Sequence, residues 1–370
     1  MGCLCPIMNW PGRQMLITNS MKRKQFLSSL LPLGVMANAL ANDSGTDVPG
    51  DTRQSVFPED DSAIKVPPYL KRGDSIGITC PAGFITLEEI QPAMQLMQSW
   101  GFKIKIGDTI GKRDASFGGT DSERARDFQQ MLDDPYLKAI MCARGGYGAI
   151  RIVDQLNFSN LTKKPKWIIG FRDITVLHCH ISRNCQIATI HSKMCNSFPE
   201  VFEVAEPMVQ ECVASIKYAL TGVKMEYKAV ANAKNRTGIA EGTIIGGNLK
   251  TIETLSGTKS DIKTASHILF VEDTGEYLYG IDRMFWNLKR TGKLAQLKGL
   301  IIGGFKIKPD DPGEEFGRTL YDIVMEKVSE YHFPVCFDFP VGHQKENYAL
   351  KCGVRHRLSV TADKVELVEV

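Results

Sequence analysis

The run Lys166-Trp167-Ile168-Ile169-Gly170-Phe171-Arg172-Asp173-Ile174-Thr175 has the pattern of a buried strand, a sharp turn and a helix start. In a nucleophile elbow of that design, the turn thrusts a hydroxyl outward, where a neighbouring base activates it for attack on a carbonyl. Here the tip residue is Arg172. A guanidinium stays protonated and offers only donors, so it cannot attack a carbonyl carbon. Partners for an elbow are nevertheless in place. Ile268 to Asp273 ends an apolar strand with two acids, which puts Glu272 where ligands sit in α/β sheets and where it can orient a histidine. A surface turn or a helix cap accounts for that segment equally well. Phe337 to His343 sets a histidine just past another strand, and an imidazole in a cleft is a ready general base. A lone histidine after a glycine is more often merely exposed.

Arg144-Gly145-Gly146-Tyr147-Gly148 falls between a strand and a helix. Glycines there let the backbone approach a ligand, with amide N–H groups aimed at an anion, as an oxyanion hole or a phosphate cradle. The bland alternative is a tight turn, and the spacing fits neither a dinucleotide fingerprint nor a P-loop. His178, Cys179, His180, Cys185, His191 and Cys195 form the densest set of soft ligands. His178 and His180 lie two apart on an expected helix and point about 200° apart, so they cannot chelate together. No Cys-x-x-Cys occurs, and packing and hydrogen bonding near the elbow is favoured over zinc. Ile281 to Leu288 reads as an amphipathic helix, with Met284, Phe285 and Leu288 in the core and Asp282 and Arg283 facing a cleft or forming an ion pair.

The elements that must position these residues alternate strand and helix. Strands are expected at 75–79, 102–106, 139–142 and 167–170, with helices at 86–101, 121–132, 149–155 and through Ser182. Thr86 to Glu89 is a capping box, and Pro92 inside its helix suggests a kink. This rhythm argues an α/β fold with a parallel sheet covered by helices. The more polar stretch 199–237, with a helix near Met208–Leu220, reads as an inter-domain connection. A C-terminal unit, 238–370, follows. Its expected strands are 268–271, 300–303, 335–337, 358–361 and 365–368, and its helices 248–255, 281–290 and 316–331.

The chain has 370 residues, 43% hydrophobic and 24% charged, an ordinary globular composition large enough for two domains. The first 41 residues carry four positive charges (Arg13, Lys22, Arg23, Lys24) and no acid, so without them the net charge falls from +3 to −1. No clustered basic face is left for nucleic acid. Lys22-Arg23-Lys24, an apolar stretch to Ala37 and Ala39-Leu40-Ala41 form an export signal that starts at Met21, too short to anchor stably in a membrane. Residues 42–65 read as a polar linker. The expected location is periplasmic, or cytoplasmic if the signal is not used. Eight of the ten cysteines fall in the expected mature chain, several inside apolar runs, and read as buried free thiols rather than a disulfide framework. Free thiols sit awkwardly with export.

From about Val66 onward the sequence resembles the serine LD-carboxypeptidases (muramoyltetrapeptide carboxypeptidases). The resemblance rests on seven segments in order: Gly73-Asp74-Ser75-Ile76-Gly77 with Pro81-Ala82-Gly83, the Arg144 turn, Ile169 to Thr175, Glu241-Gly242-Thr243 with Gly246-Gly247-Asn248-Leu249, Val271-Glu272-Asp273, Ile302 to Phe305, and Phe339 to His343. It implies a flavodoxin-like N-terminal domain (66–198), a smaller α/β C-terminal domain and a Ser–His–Glu triad at their junction. It puts the glutamate on Glu272, the histidine on His343 and the serine on position 172, where this chain has Arg172. Amides near Gly146 and Asp173 would form the oxyanion hole. Arg144, with Gly145, is a candidate reader of the substrate's terminal carboxylate. The resemblance further implies a muropeptide substrate that loses its terminal D-alanine, a homodimer, and neither metal nor organic cofactor. Arg172 is expected to fill the scissile carbonyl's space and to draw Glu272 away from His343. Ser192 is a weak substitute nucleophile, as are thiol or metal routes through Cys179, Cys185 or His178.

Overall fold

The structure is a computed structural model that describes residues 64–370. The export signal and almost all of the polar linker lie outside the described residues. Lys65, expected in the linker, already bridges Ile187 in parallel pairing.

The first half follows the expected alternation. Strand β1 (Ser75–Thr79) leads to α1 (Leu87–Ser99), β2 (Lys103–Ile106), α2 (Asp121–Asp133) and β3 (Leu137–Cys142). Two short helices, α3 (Ala149–Ile152) and α4 (Ser159–Lys163), precede β4 (Trp167–Gly170), α5 (Thr175–Cys185) and β5 (Thr189–His191). Reciprocal capping boxes, Thr86 with Glu89 and Thr120 with Glu123, satisfy amides at the starts of α1 and α2. Helix α1 runs on through Pro92. The five strands pair in parallel in the spatial order β2-β1-β3-β4-β5. That is the flavodoxin-like doubly wound order, in which ligands bind beyond the carboxyl ends of the strands. The interior strands are mainly apolar; Ile76, Ile78, Ile140, Trp167, Ile168 and Ile169 are fully buried.

Helix α6 (Pro207–Thr221) and β6 (Glu226–Val230) follow, then the eleven-residue β7 (Gly238–Asn248). Next come α7 (Leu249–Thr254), β8 (Ile268–Thr274), α8 (Leu278–Arg290), β9 (Gly299–Lys306), α9 (Leu320–Lys327) and β10 (Val335–Cys336), and finally β11 (Leu350–Cys352), β12 (Arg355–Val360) and β13 (Lys364–Glu369). The second sheet has the order β10-β9-β8-β7-β12-β13-β6. Strand β7 serves two pairings: Gly238–Thr243 lies antiparallel to β12, and Ile244–Asn248 lies parallel to β8.

Two features revise the expected domain limits. Strand β6, in the stretch read as a connection, is an edge of the second sheet. Strand β11, expected in the C-terminal unit, pairs antiparallel with β5 and closes the first sheet. Its Lys351 is fully buried, with its ammonium 2.8 Å from Glu369 of β13.

Candidate active site

Three turns leave the carboxyl edge of the first sheet side by side. The turn after β1 donates Gly83 N–H to the Gly145 carbonyl in the glycine-rich turn after β3, at 2.8 Å. Buried Arg124 of α2 donates to Pro81 O at 2.5 Å and to Gly148 O at 2.9 Å, fixing both turns from below. The third turn, after β4, is the elbow. Arg172 sits at its tip with φ of 61°, a left-handed conformation that costs a side-chain-bearing residue strain and is typical of functional turns. A Cβ on Gly145 would lie 3.3 Å from the Arg172 Cβ, closer than an ordinary contact, so a side chain there would press the two turns apart.

Asp173 is buried, and its carboxylate accepts a 2.6 Å hydrogen bond from Ala149 N–H, tying the elbow to the start of α3. Burial pushes this carboxyl up to about 6, against the opposing effect of the Ala149 bond and of Arg124 and Arg172. Gly146, Tyr147, Arg172 and Asp173 line one cavity of about 260 Å³ with Asn248, Lys250, Asp273 and Glu276 of the second half. Helix α5 meets β7 there: Thr175 Oγ accepts the Asn248 N–H at 3.0 Å. The Asp273 carboxylate accepts from Asn248 Nδ2 and from Lys250 N–H, each at 2.9 Å, and anchors the start of α7. Its carboxyl is also raised to about 6, chiefly by burial.

Glu272, the next residue back along β8, is fully buried, so it is neither a surface turn nor a cap. Its Oε2 holds the Nδ1 of His343. Burial favours the protonated acid, but the interactions with His191 and His343 outweigh it and hold the carboxyl at about 2. The pair is therefore a carboxylate bound to an imidazole, with His343 Nε2 buried and making no hydrogen bond among the described residues. Phe171 carries the contact to the elbow, its ring centroid 5.0 Å from that of His343. Among the described residues Glu272 pairs with His343 and His191, not with Arg172, so the elbow cation has not displaced the histidine as expected.

Other candidates are placed elsewhere. The Arg144 guanidinium donates to Phe84 O at 3.1 Å and faces the Phe84 ring, and neither Arg144 nor Gly145 lines the cavity at Arg172. Ser192 is buried, with its hydroxyl donated to Lys193 O at 2.9 Å. His178 donates Nε2–H to Gly170 O at 2.9 Å, and burial drives it down to about 3, so it stays neutral under the elbow. Cys179 and Cys185 are buried thiols pushed up by desolvation, poor nucleophiles. Among the described residues no group of three or more His, Cys, Asp or Glu is placed to hold a metal ion. Asp282 pairs with Lys327, while Arg283 faces the Tyr279 ring. The residue the sequence reading undervalued is His191, which ends β5 beside Glu272. The available signal was a histidine closing a short, mostly apolar run, Ile187-Ala188-Thr189-Ile190, at a strand's carboxyl end.

Comparison with known proteins places this geometry. A probable murein peptide carboxypeptidase of Bacillus subtilis (strain 168) is 30% identical over 305 residues, 82% of this chain and 94% of that protein. The crystal structure of muramoyltetrapeptide carboxypeptidase from Oxalobacter formigenes superposes with a TM-score of 0.70 at 27% identity, over 80% of this chain and 99% of that one. The microcin C7 self-immunity protein MccF of Escherichia coli is 24% identical over 329 residues, 81% of this chain and 94% of that protein. Residues 76–192 match the LD-carboxypeptidase N-terminal domain and residues 241–358 the LD-carboxypeptidase C-terminal domain. The first match holds the glycine-rich turn and the elbow, the second holds Glu272 and His343, and the chain belongs to the LD-carboxypeptidase family.

Proposed function

We propose that this scaffold is built to release the terminal D-alanine from peptidoglycan tetrapeptide stems by a serine–histidine–glutamate route, and that Arg172 withholds the attacking hydroxyl in this chain. The observation that carries the reading is the intact pair of Glu272 and His343 beside an elbow whose tip is a guanidinium. With serine at 172, the hydroxyl would attack the scissile carbonyl carbon and His343 Nε2 would take its proton. Glu272 would hold the resulting imidazolium. Amides at Gly146 and Asp173 would hold the oxyanion, and the imidazolium would return its proton to the departing amine of D-alanine. Water would then cleave the acyl-serine by the same steps. The basic, apolar and small-residue pattern before residue 42 supports export of the mature chain to the periplasm, where such stems are found.

The test is release of D-alanine from a muramoyl tetrapeptide by this chain and by Arg172→Ser. The serine form is expected to gain roughly 10³-fold or more. Cleavage by the Arg172 chain at the same rate would refute the elbow assignment. Failure of both, each folded, would refute the substrate class.

A second reading is favoured by the open cavity at Arg172: the chain binds muropeptides without cleaving them. Calorimetry of the unaltered chain with the tetrapeptide separates the readings, because a binder gives saturable heat and leaves the peptide intact.

A further inference from the structure

Glu272 lies between two histidines, and the hydrolytic route uses only one. His191 is fully buried, and neither of its ring nitrogens makes a hydrogen bond among the described residues. Its Nε2 stands 3.7 Å from Glu272 Oε1, an oxygen that is itself buried and has no hydrogen bond among the described residues. The ring packs edge-on to Phe270 at 5.0 Å and to Phe171 at 5.6 Å between centroids, with the neutral His178 ring, tied by Nε2 to Gly170 O, further off at 6.4 Å. A buried N–H facing a buried carboxylate oxygen closes to a hydrogen bond, since leaving both groups unpaired is costly and a charged acceptor binds an N–H more strongly than the neutral imidazole of His178 would.

We propose that His191 is a positioning residue for the base: its Nε2–H engages Glu272 Oε1, so that Oε2 faces His343 Nδ1. The terminal torsion of a glutamate is broad, and one hydrogen bond leaves the carboxylate free to swing. A second bond on the other oxygen pins it. His343 is thereby held as the Nδ1–H tautomer, with Nε2 bare to receive a proton. His191 itself exchanges no proton. The inference rests on reading Glu272 and His343 as the base of the hydrolase.

The test uses the full chain with ¹⁵N-labelled histidine near pH 8, about where imidazoles are neutral and ring ¹⁵N shifts report which nitrogen holds the proton. In the parent chain His343 is expected as the Nδ1–H tautomer and His191 as Nε2–H. His191 found as Nδ1–H alone overturns the proposal without any variant. His191→Phe keeps the ring's shape without a donor, and is expected to admit about a tenth or more of the other His343 tautomer. His191→Gln retains an N–H and is expected to restore one tautomer. An unchanged His343 in His191→Phe, or no recovery in His191→Gln, overturns it. In the Arg172→Ser background, His191→Phe should lower kcat for D-alanine release about tenfold with KM held within about twofold, and His191→Gln should recover most of it. A merely structural role would change the yield of folded protein, not kcat. If Arg172→Ser releases no D-alanine while the ring shifts behave as stated, the hydrolase reading fails and the positioning stands. If D-alanine is released and His343 ignores His191, the positioning alone fails.

Discussion

Arg172 and Asp173 are neighbours with opposite bearings. The arginine points into the cleft, whereas the aspartate turns back into the protein and holds Ala149 N–H. Its raised carboxyl, about 6 in the fold against an ordinary 3.8, means that the native state keeps a proton the unfolded chain has lost. Stability from this group is therefore greatest below about pH 4 and is lost as pH rises to about 6. Asp273 acts in the same direction and window. Glu272, at about 2 in the fold against 4.5, acts in the opposite direction, and its contribution is lost as pH falls from about 4.5 to about 2. Asp173→Asn preserves an acceptor for Ala149 and removes one titration. Urea unfolding across about pH 4 to 6 should then fall less steeply with pH, by at most about 1.4 kcal/mol per pH unit. An unchanged slope would mean that Asp173 titrates normally in the fold.

At the scale of elements, the contact of α5 with β7 holds the elbow against the second sheet. A Cβ on Gly247 would lie 2.5 Å from Thr175 Oγ, and Gly247 has φ of 144°, so both space and backbone require glycine. Gly247→Ala is expected to cost about 2–4 kcal/mol by chemical denaturation, against about 1 kcal/mol for Gly292→Ala, whose left-handed turn has open space around it. Equal costs would show that the α5–β7 contact yields easily. The elements legible in the sequence were those with a local cause. A capping box marked α1, and apolar runs marked β1, β3, β4 and β8. The expected helix at 316–331 shrinks to α9, whose start is set by the Thr319–Asp322 capping box. Strand β7 was missed because its glycine pair reads as a turn, whereas here the glycines admit Thr175 and the Phe270 backbone. Strands β5 and β11 were missed because three residues carry little period. The elbow was legible for the same local reason, but nothing local ties Glu272 to His343, 71 positions on, or to His191.

For the whole molecule, the two sheets are joined by more than the chain between them. Lys351 is a buried lysine on β11, the edge strand of the first sheet, and its charge is matched by Glu369 of the second, with Val223 O at 3.2 Å and the Tyr69 ring beneath. Lys351→Met is expected to destabilise the protein by about 3–5 kcal/mol, because it strands a largely buried carboxylate. Adding Glu369→Gln should recover part of that loss, and a double mutant no better than the single would show that the pair is not coupled. Unfolding followed by tryptophan fluorescence and by far-ultraviolet circular dichroism should give one midpoint for the unaltered chain. Two midpoints would mean that the sheets melt separately.

Strand β11 also orders events in time. The sheet that carries the elbow is begun at Ser75 and closed only at Cys352, after most of the second sheet has been made. A ribosome delivers the chain from its N-terminus, so β5 must wait for that long intervening stretch with one edge unpaired. A nascent chain stalled before Leu350 would expose that edge beside His191, and the first sheet cannot be closed until β11 has been made.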